Sequence, residues 1–354
     1  MKPRVVLVLS CLVALAGCSS MGPGTVARDR FQYSDSIGES WKRQTLLNIV
    51  KLRYLDPPIF VDVGQIVAGY SLQASVAANG QLVEGGGNNL SLTGAGTYVD
   101  RPTITYTPLT GNKFIKSLMT PLTPESVFFM IQSGYPADGV LLTTVSSING
   151  LKNQEWTMTG TSPPEPDFLK AADLMRKIQA SGAVAFRVQL DPAKQETDIL
   201  SLRRTDISPE TLADTMELRR LLRLDPDANE FKLVFGATPA NGKEVALQTR
   251  SVLRLMQAMA TQVDVSSEDL AEHRASPGWE GATGAAGAVR MIDIHSSQSK
   301  PEDAFVSVNY RNQWFWIDDR DLKSKRIFTF MLLLFTLADT AEREPLPIVT
   351  IPAQ

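Results

Sequence analysis

Few residues in this chain are placed to do chemistry. Histidine occurs twice, at His273 and His295. A zinc site needs several nitrogen or sulfur ligands on one face, as HExxH provides, and neither histidine has a second ligand at helical spacing. Ser296 and Ser297 follow His295, an order that could pair an imidazole base with a hydroxyl nucleophile. The G-x-S-x-G turn that exposes such a serine does not occur in the sequence, so His295 reads as a strand-end histidine. The segment Gly236-Ala-Thr-Pro-Ala-Asn-Gly242-Lys243 has the glycines and lysine of a phosphate loop, in which backbone amides cradle phosphate and the lysine reaches its terminal oxygens. Its glycines are spaced one residue too far, and Glu244 stands where Ser or Thr should hold magnesium, so an Asn-Gly turn is expected. Gly94-Ala95-Gly96 lies in strand-like sequence and lacks the third glycine of a dinucleotide motif. Asp318, Asp319 and Asp321 are the densest carboxylates. A calcium loop would continue with a glycine and a closing glutamate, which LKSKRIFT does not supply. They are expected to cap the following helix, with Arg311 or Arg320 as partners. No catalytic residue, cofactor site or metal ligand is assigned, and the chain is expected not to be an enzyme.

The clearest chemistry is at the beginning. Lys2 and Arg4 precede the apolar run Val5–Ala16, which is shorter than the roughly 17 to 25 residues of a membrane-spanning helix and has the form of an export signal over residues 1–17. Leu15-Ala16-Gly17-Cys18 then resembles the lipobox of bacterial lipoproteins. That resemblance implies that Cys18 becomes the mature N-terminus and carries diacylglycerol and palmitate. Because Ser19 is not aspartate, it also implies the outer membrane of a Gram-negative bacterium, with the protein facing the periplasm. Several acyl chains, at about 0.8 kcal/mol per buried methylene, hold a protein stably where one would not. Of the two cysteines, Cys11 lies in the leader, so no thiol is left for a disulfide or a cluster. Residues 18–34 are expected to form a flexible tether.

The elements behind these residues belong to an ordinary globular chain. Of 354 residues, 43% are hydrophobic and 21% charged, with net charge −3; this excludes a polytopic membrane protein and gives no electrostatic reason to bind nucleic acid. At about 150 residues per domain, two domains are expected. Residues 36–54 have helical apolar spacing closed by Pro57-Pro58. Residues 60–78 and 90–106 alternate like strands and predict a long two-stranded ribbon, with Tyr70, Leu72, Ala74 and Val76 on one face and Ser71, Gln73 and Ser75 on the other. Helices are expected at 112–119 and after the Thr123-Pro124 cap, stopping at Gly134, and a strand at 139–148. The polar, proline-containing stretch 152–165 is expected to be a domain boundary. Beyond it come a helix at 167–180, a hairpin at 183–190 and 197–202, a helix from Ser208-Pro209 to about 224, a strand at 231–235 and a helix at 245–263. A Gly/Ala-rich loop at 274–288 leads to strands at 289–295, 305–310 and 314–317, a helix at about 321–338 and a last strand at 347–351. Tyr310, Trp314, Phe315 and Trp316 cover both faces of one strand, as core on both sides or partly as an interface. The apolar block 327–338 is too short to span a bilayer and is expected to be a core helix. The fold class is α+β: an N-terminal helix and long β-hairpin region (35–160), then a C-terminal mixed α/antiparallel-β domain (161–354).

Three blocks, LLNIVKLRYLDPPIF (46–60), RPTITYTPLTGNKFIKSLMTPL (101–122) and VNYRNQWFWIDDRDLKSKRIFTFMLLLFTLAD (308–339), resemble a group of uncharacterised proteobacterial outer-membrane lipoproteins. This resemblance implies a location and no activity. The expected function is that of a lipid-anchored, periplasm-facing, non-enzymatic accessory of envelope assembly or secretion, with an envelope protein or a second copy as partner. The alternative is a subunit of an oligomeric outer-membrane pore closed by the ribbon at 60–106. A third reading is an envelope hydrolase or carbohydrate-binding module, the hydrolase drawing on His295, Ser296 and Asp319.

Overall fold

The computed structural model describes residues 26–67, 69–81, 89–109, 112–157, 160–190, 196–278 and 290–338. Cys18 with its leader, the tip of the ribbon at 82–88, most of the Gly/Ala-rich loop and the expected strand at 347–351 lie outside them. The architecture is mixed α+β, with an N-terminal helix, a long hairpin and a C-terminal helix. Two compact units divide it: one holds the described residues up to Trp41 together with Ile59–Leu109, and the other holds Lys42–Pro58 and the described residues from 112 onward.

Helix α1 (Val26–Arg53) begins earlier than the apolar spacing suggested. The expected tether at 18–34 is therefore helical from residue 26. Helix breakers stop at Gly22-Pro23-Gly24, and VARDRFQ beyond them contains good helix formers. The first half of α1 is mostly exposed, including Phe31 and Ile37. In the second half Leu46, Ile49, Val50 and Arg53 form a buried stripe at helical spacing.

The ribbon forms as expected, in two ladders. Strand β1 (Phe60–Val67) pairs antiparallel with β4 (Thr103–Leu109), from Phe60↔Leu109 to Val67↔Thr103. Strand β2 (Tyr70–Gln81) pairs with β3 (Asn89–Asp100), from Tyr70↔Asp100 to Gln81↔Asn89. The interruption between them has local causes. Pro102 has no N–H to give the ladder, and a Cβ on Gly69 would lie 3.1 Å from the Arg101 carbonyl. The Arg101 amide donates to the Gly69 carbonyl and keeps the two ladders joined.

In the second unit, α2 (Asn112–Met119) leads to α3 (Pro124–Gln132), whose N-cap Thr123 accepts from the Ser126 amide. The stretch 139–148 corrects the expected strand: Ala137–Thr144 is helix α4, and only Val145–Ile148 is strand β5. Pro136 starts that helix, and Val140, Leu141 and Thr144 are buried, so tertiary packing overrides the β-branched run. The expected boundary near residue 160 also fails. Residues beyond β5 form β6 (Leu151–Lys152) and the small hairpin β7 (Glu155–Thr157) and β8 (Gly160–Ser162). Between β6 and β7 the buried Asn153 side chain donates to the carbonyls of Leu142 and Val145 at 2.9 and 2.6 Å. Polarity there reflects satisfied burial, not a linker.

Helix α5 (Pro166–Ala180), strands β9 (Val184–Leu190) and β10 (Glu196–Leu202), helix α6 (Pro209–Leu221) with its Ser208 cap, and β11 (Glu230–Phe235) follow the sequence reading. The expected helix at 245–263 divides into β12 (Glu244–Thr249) and α7 (Val252–Ala260), which is capped by Ser251. A short helix, α8 (Ser267–Ala271), follows. One six-stranded sheet runs β6-β5-β12-β11-β10-β9. It is not wholly antiparallel as expected: β11 and β12 are parallel, Lys232↔Glu244 to Phe235↔Leu247. Phe231, Leu233, Val245, Leu247 and Leu200 bury its centre.

The C-terminal part contains β13 (His295–Ser297), β14 (Ala304–Tyr310), β15 (Gln313–Asp318) and α9 (Leu322–Ala338). Their sheet has the order β13-β15-β14. The expected strand at 289–295 is reduced to its end, with Ile294 making only an isolated bridge to Val263. Helix α9 buries Phe328, Met331, Leu334 and Phe335, as a core helix should. Among the described residues no helix is long and apolar enough to cross a membrane.

Candidate binding site on the three-stranded sheet

The sheet β13-β15-β14 has two unlike faces. On one, Phe315 and Ile317 of β15 and Val306 and Val308 of β14 are buried. Just beyond the end of α1, the Tyr54 ring meets Phe315 at 6.2 Å and Tyr310 at 5.5 Å, both edge-on. The Tyr54 hydroxyl donates to Asp269 at 2.8 Å; burial and this carboxylate push its pKa up. Tyr310 donates to Asp56, and Arg311 reaches the same carboxylate at 3.3 Å. The Tyr310 hydroxyl, with Arg311, holds Asp56 below the usual carboxylate range even though burial opposes it. Beside them Arg53 donates to the carbonyls of Thr261 and Pro277 at 3.3 and 3.0 Å. The contacts of Tyr54 and Asp56 tie the sheet to the chain just after α1.

The other face presents tryptophan. The register opposes Ser307, Trp316 and His295 in one row, and Asn309, Trp314 and Ser297 in the next. Residues directly opposite share a face, and rows two residues apart lie about 7 Å apart. Both indoles are part-exposed on the central strand, with small polar residues on either side. The His295 ring stands 5.5 Å from that of Trp316, tilted by 45°, and Lys300 Nζ lies 5.6 Å above the Trp314 ring. His295 Nδ1 is 3.4 Å from Asp264, and Asp264 is held by Arg290 Nη2 at 2.7 Å. The side chains of Ser307 and Asn309 and both indole N–H groups make no hydrogen bond to another described residue. Such a surface can stack flat apolar rings and hydrogen-bond to groups at their edges; it holds no activated nucleophile.

The other residues singled out by type are dispersed. Ser296 pairs with Phe315 and His295 with Trp316, so the two alternate to opposite faces and make no Ser-His pair. His273 follows α8 with φ of 56° and is exposed. Asp319 binds Lys325 at 2.7 Å. Asp318 accepts from the Arg320 amide at 2.8 Å. Asp321 caps α9 by accepting from the amides of Lys323 and Ser324 at 3.0 and 3.1 Å. The partners differ from those expected: Arg320 pairs with Asp303 and Arg311 with Asp56. Among the described residues no cluster of His, Cys, Asp and Glu could hold a metal ion. In the 236–243 segment Asn241 accepts from the Lys243 amide at 2.8 Å, a local Asx-type turn. Gly94-Ala95-Gly96 sits inside β3, opposite Val76, Ser75 and Ala74.

Sequence reading missed that Trp314 and Trp316 share an open face with polar residues of both neighbouring strands. The W-x-W alternation was the available signal, but one strand cannot reveal its neighbours' register. Comparison with protein-family models, curated proteins and solved structures finds no match.

Proposed function

We propose that this protein is a lipid-anchored, non-enzymatic envelope component, held to the outer membrane through Cys18, whose β1–β4 ribbon engages another envelope protein or a second copy. The observation that carries the reading is the state of β4. Thr103–Tyr106 and their neighbours are exposed on both faces of the strand, with Tyr106 62% and Ile104 37% accessible. Strands β1 and β4 form a sheet of two, and so do β2 and β3. Two-stranded ribbons are marginal in water without a surface to pack on, and their open edges are ready to pair. Ser71, Gln73 and Ser75, with Thr97 and Ala95 opposite the last two, add an exposed polar face of mostly small residues, which suits close approach of another backbone.

The test replaces the exposed Ile104 and Tyr106 of β4 by lysine. The expected result is a folded, membrane-bound chain that no longer crosslinks into a larger complex in intact cells. Retention of the complex overturns the reading. Insertion of the ribbon into the bilayer as part of a pore is the competing outcome. Release of the full chain from membranes by lipoprotein-specific cleavage, without detergent, excludes that insertion.

A further inference from the structure

We infer that the tryptophan face of β13-β15-β14 is a binding site for a β-linked pyranose oligosaccharide, with successive sugar rings stacked on Trp316 and Trp314. Three features point to this ligand class.

The first is the pair of indoles. A soluble protein gains most from a tryptophan by burying it, yet here two successive same-face positions of a central strand leave theirs part-exposed. The opposite face of that strand, Phe315 and Ile317, is fully buried, so the sheet has a core without them.

The second is what surrounds the rings. A protein-docking patch would continue into aliphatic side chains. Here Ser307 and Asn309 stand on one side, and His295 and Ser297 on the other, in register with the two indoles. The side chains of Ser307 and Asn309 have no hydrogen-bond partner among the described residues. A flat apolar surface edged by unspent donors and acceptors matches a pyranose, whose C–H face is apolar and whose rim carries hydroxyls. The two rows are separated by about 7 Å, a separation that lets a chain of sugars run along the strand.

The third is rigidity. The face is backed by the Tyr54, Tyr310 and Asp269 network, and His295 is oriented by Asp264 and Arg290. A site that is already ordered loses little freedom on binding. Lys300, exposed above Trp314, must move aside for a sugar, or can stay at the end of the site facing an acidic substituent. The site uses no residue of the ribbon and does not depend on the function proposed for it.

The test is titration of the full chain in detergent with tetra-N-acetylchitotetraose and with cellotetraose, followed by tryptophan fluorescence and calorimetry. The two probes distinguish an acetamido-sugar ligand from a plain glucan. The expected result is saturable binding of at least one, weakened at least about tenfold in Trp314→Ala and in Trp316→Ala, which corresponds to about 1.4 kcal/mol. If either alanine variant fails to fold, the double variant Ser307→Ala/Asn309→Ala replaces it, with a several-fold loss expected. The chain with Ile104 and Tyr106 replaced by lysine should bind as well as the intact one, so failure of the sugar site and failure of the ribbon reading are separately visible. No saturable signal with either tetrasaccharide at millimolar concentration overturns the proposal. So does binding that neither tryptophan variant nor the serine-asparagine double variant weakens.

Discussion

Arg250→Met should destabilise the second unit. The Arg250 guanidinium is buried beneath β7, with Trp156 4.9 Å from its centre. Helix α4 ends at Thr144 and leaves carbonyls without helical partners. Arg250 supplies them: its amide donates to Thr144, and Nη1 donates to Leu142 and Thr143 at 3.0 and 2.8 Å. Nη2 donates to Gln154 across the chain. Methionine would take these donors from the buried Thr143 and Gln154 carbonyls, at about 1–3 kcal/mol each, while Leu142 keeps the Asn153 side chain. Against that stands relief of desolvation: burial lowers the arginine pKa from 12.5 to about 10, worth about 3 kcal/mol at about 1.4 kcal/mol per pKa unit. The net expectation is a loss of about 1 kcal/mol, with Arg250→Lys intermediate because an ammonium cannot span both groups of carbonyls. Urea unfolding followed by tryptophan fluorescence measures it. A loss below about 0.5 kcal/mol, or a gain of the kind that apolar replacements of buried charges can give, would refute the reasoning.

Other expectations are equally specific. Asp321→Ala should cost about 1 kcal/mol by removing the cap of α9, as read by thermal melting. Burial pushes the Asp321 carboxyl up, but the Ser324 hydroxyl and the amides of Ser324 and Lys323 outweigh it, so its folded pKa lies below 3.8. Its contribution is then complete above the unfolded value and is lost as pH falls through the folded one, and Asp321→Asn should flatten that acid limb of the stability curve. Gly278, at φ of 66°, leaves room for the Arg53 guanidinium, which a methyl group would overlap. Gly278→Ala should lower stability by about 2 kcal/mol or more, and an unchanged melting temperature would show that the Arg53 ties carry no load. Cells grown with radioactive palmitate should label the full chain and leave Cys18→Ser unlabelled; equal labelling removes Cys18 as the anchor.

Much of the fold was legible where local chemistry decides it. Thr123-Pro124 and Ser208-Pro209 are helix starts whatever they pack against, and each cap bond forms. The long alternation from residue 60 to 106 specified a ribbon, because period two over many residues fits little else. Errors came where a tertiary partner decides. Residues 139–144 carry β-branched side chains yet form a helix whose end is closed by Arg250, more than a hundred residues away. The run 244–249 is too short to tell strand from helix by period. Asn153 and Gln154 looked like linker residues because composition cannot show that their polar groups are buried and satisfied. For the sugar site, sequence supplied the two tryptophans, while Ser307, Asn309, Ser297 and His295 join them only through strand register.

The ribbon is tested most directly by placing a photoreactive phenylalanine analogue at position 106, in the twice-exposed strand β4, and separately at position 212, an exposed site on α6. After irradiation of intact cells, position 106 should yield a discrete adduct with another envelope protein or a second copy, and position 212 none. The same outcome at both positions, whether no adduct or equal adducts, would contradict a role for the ribbon in assembly.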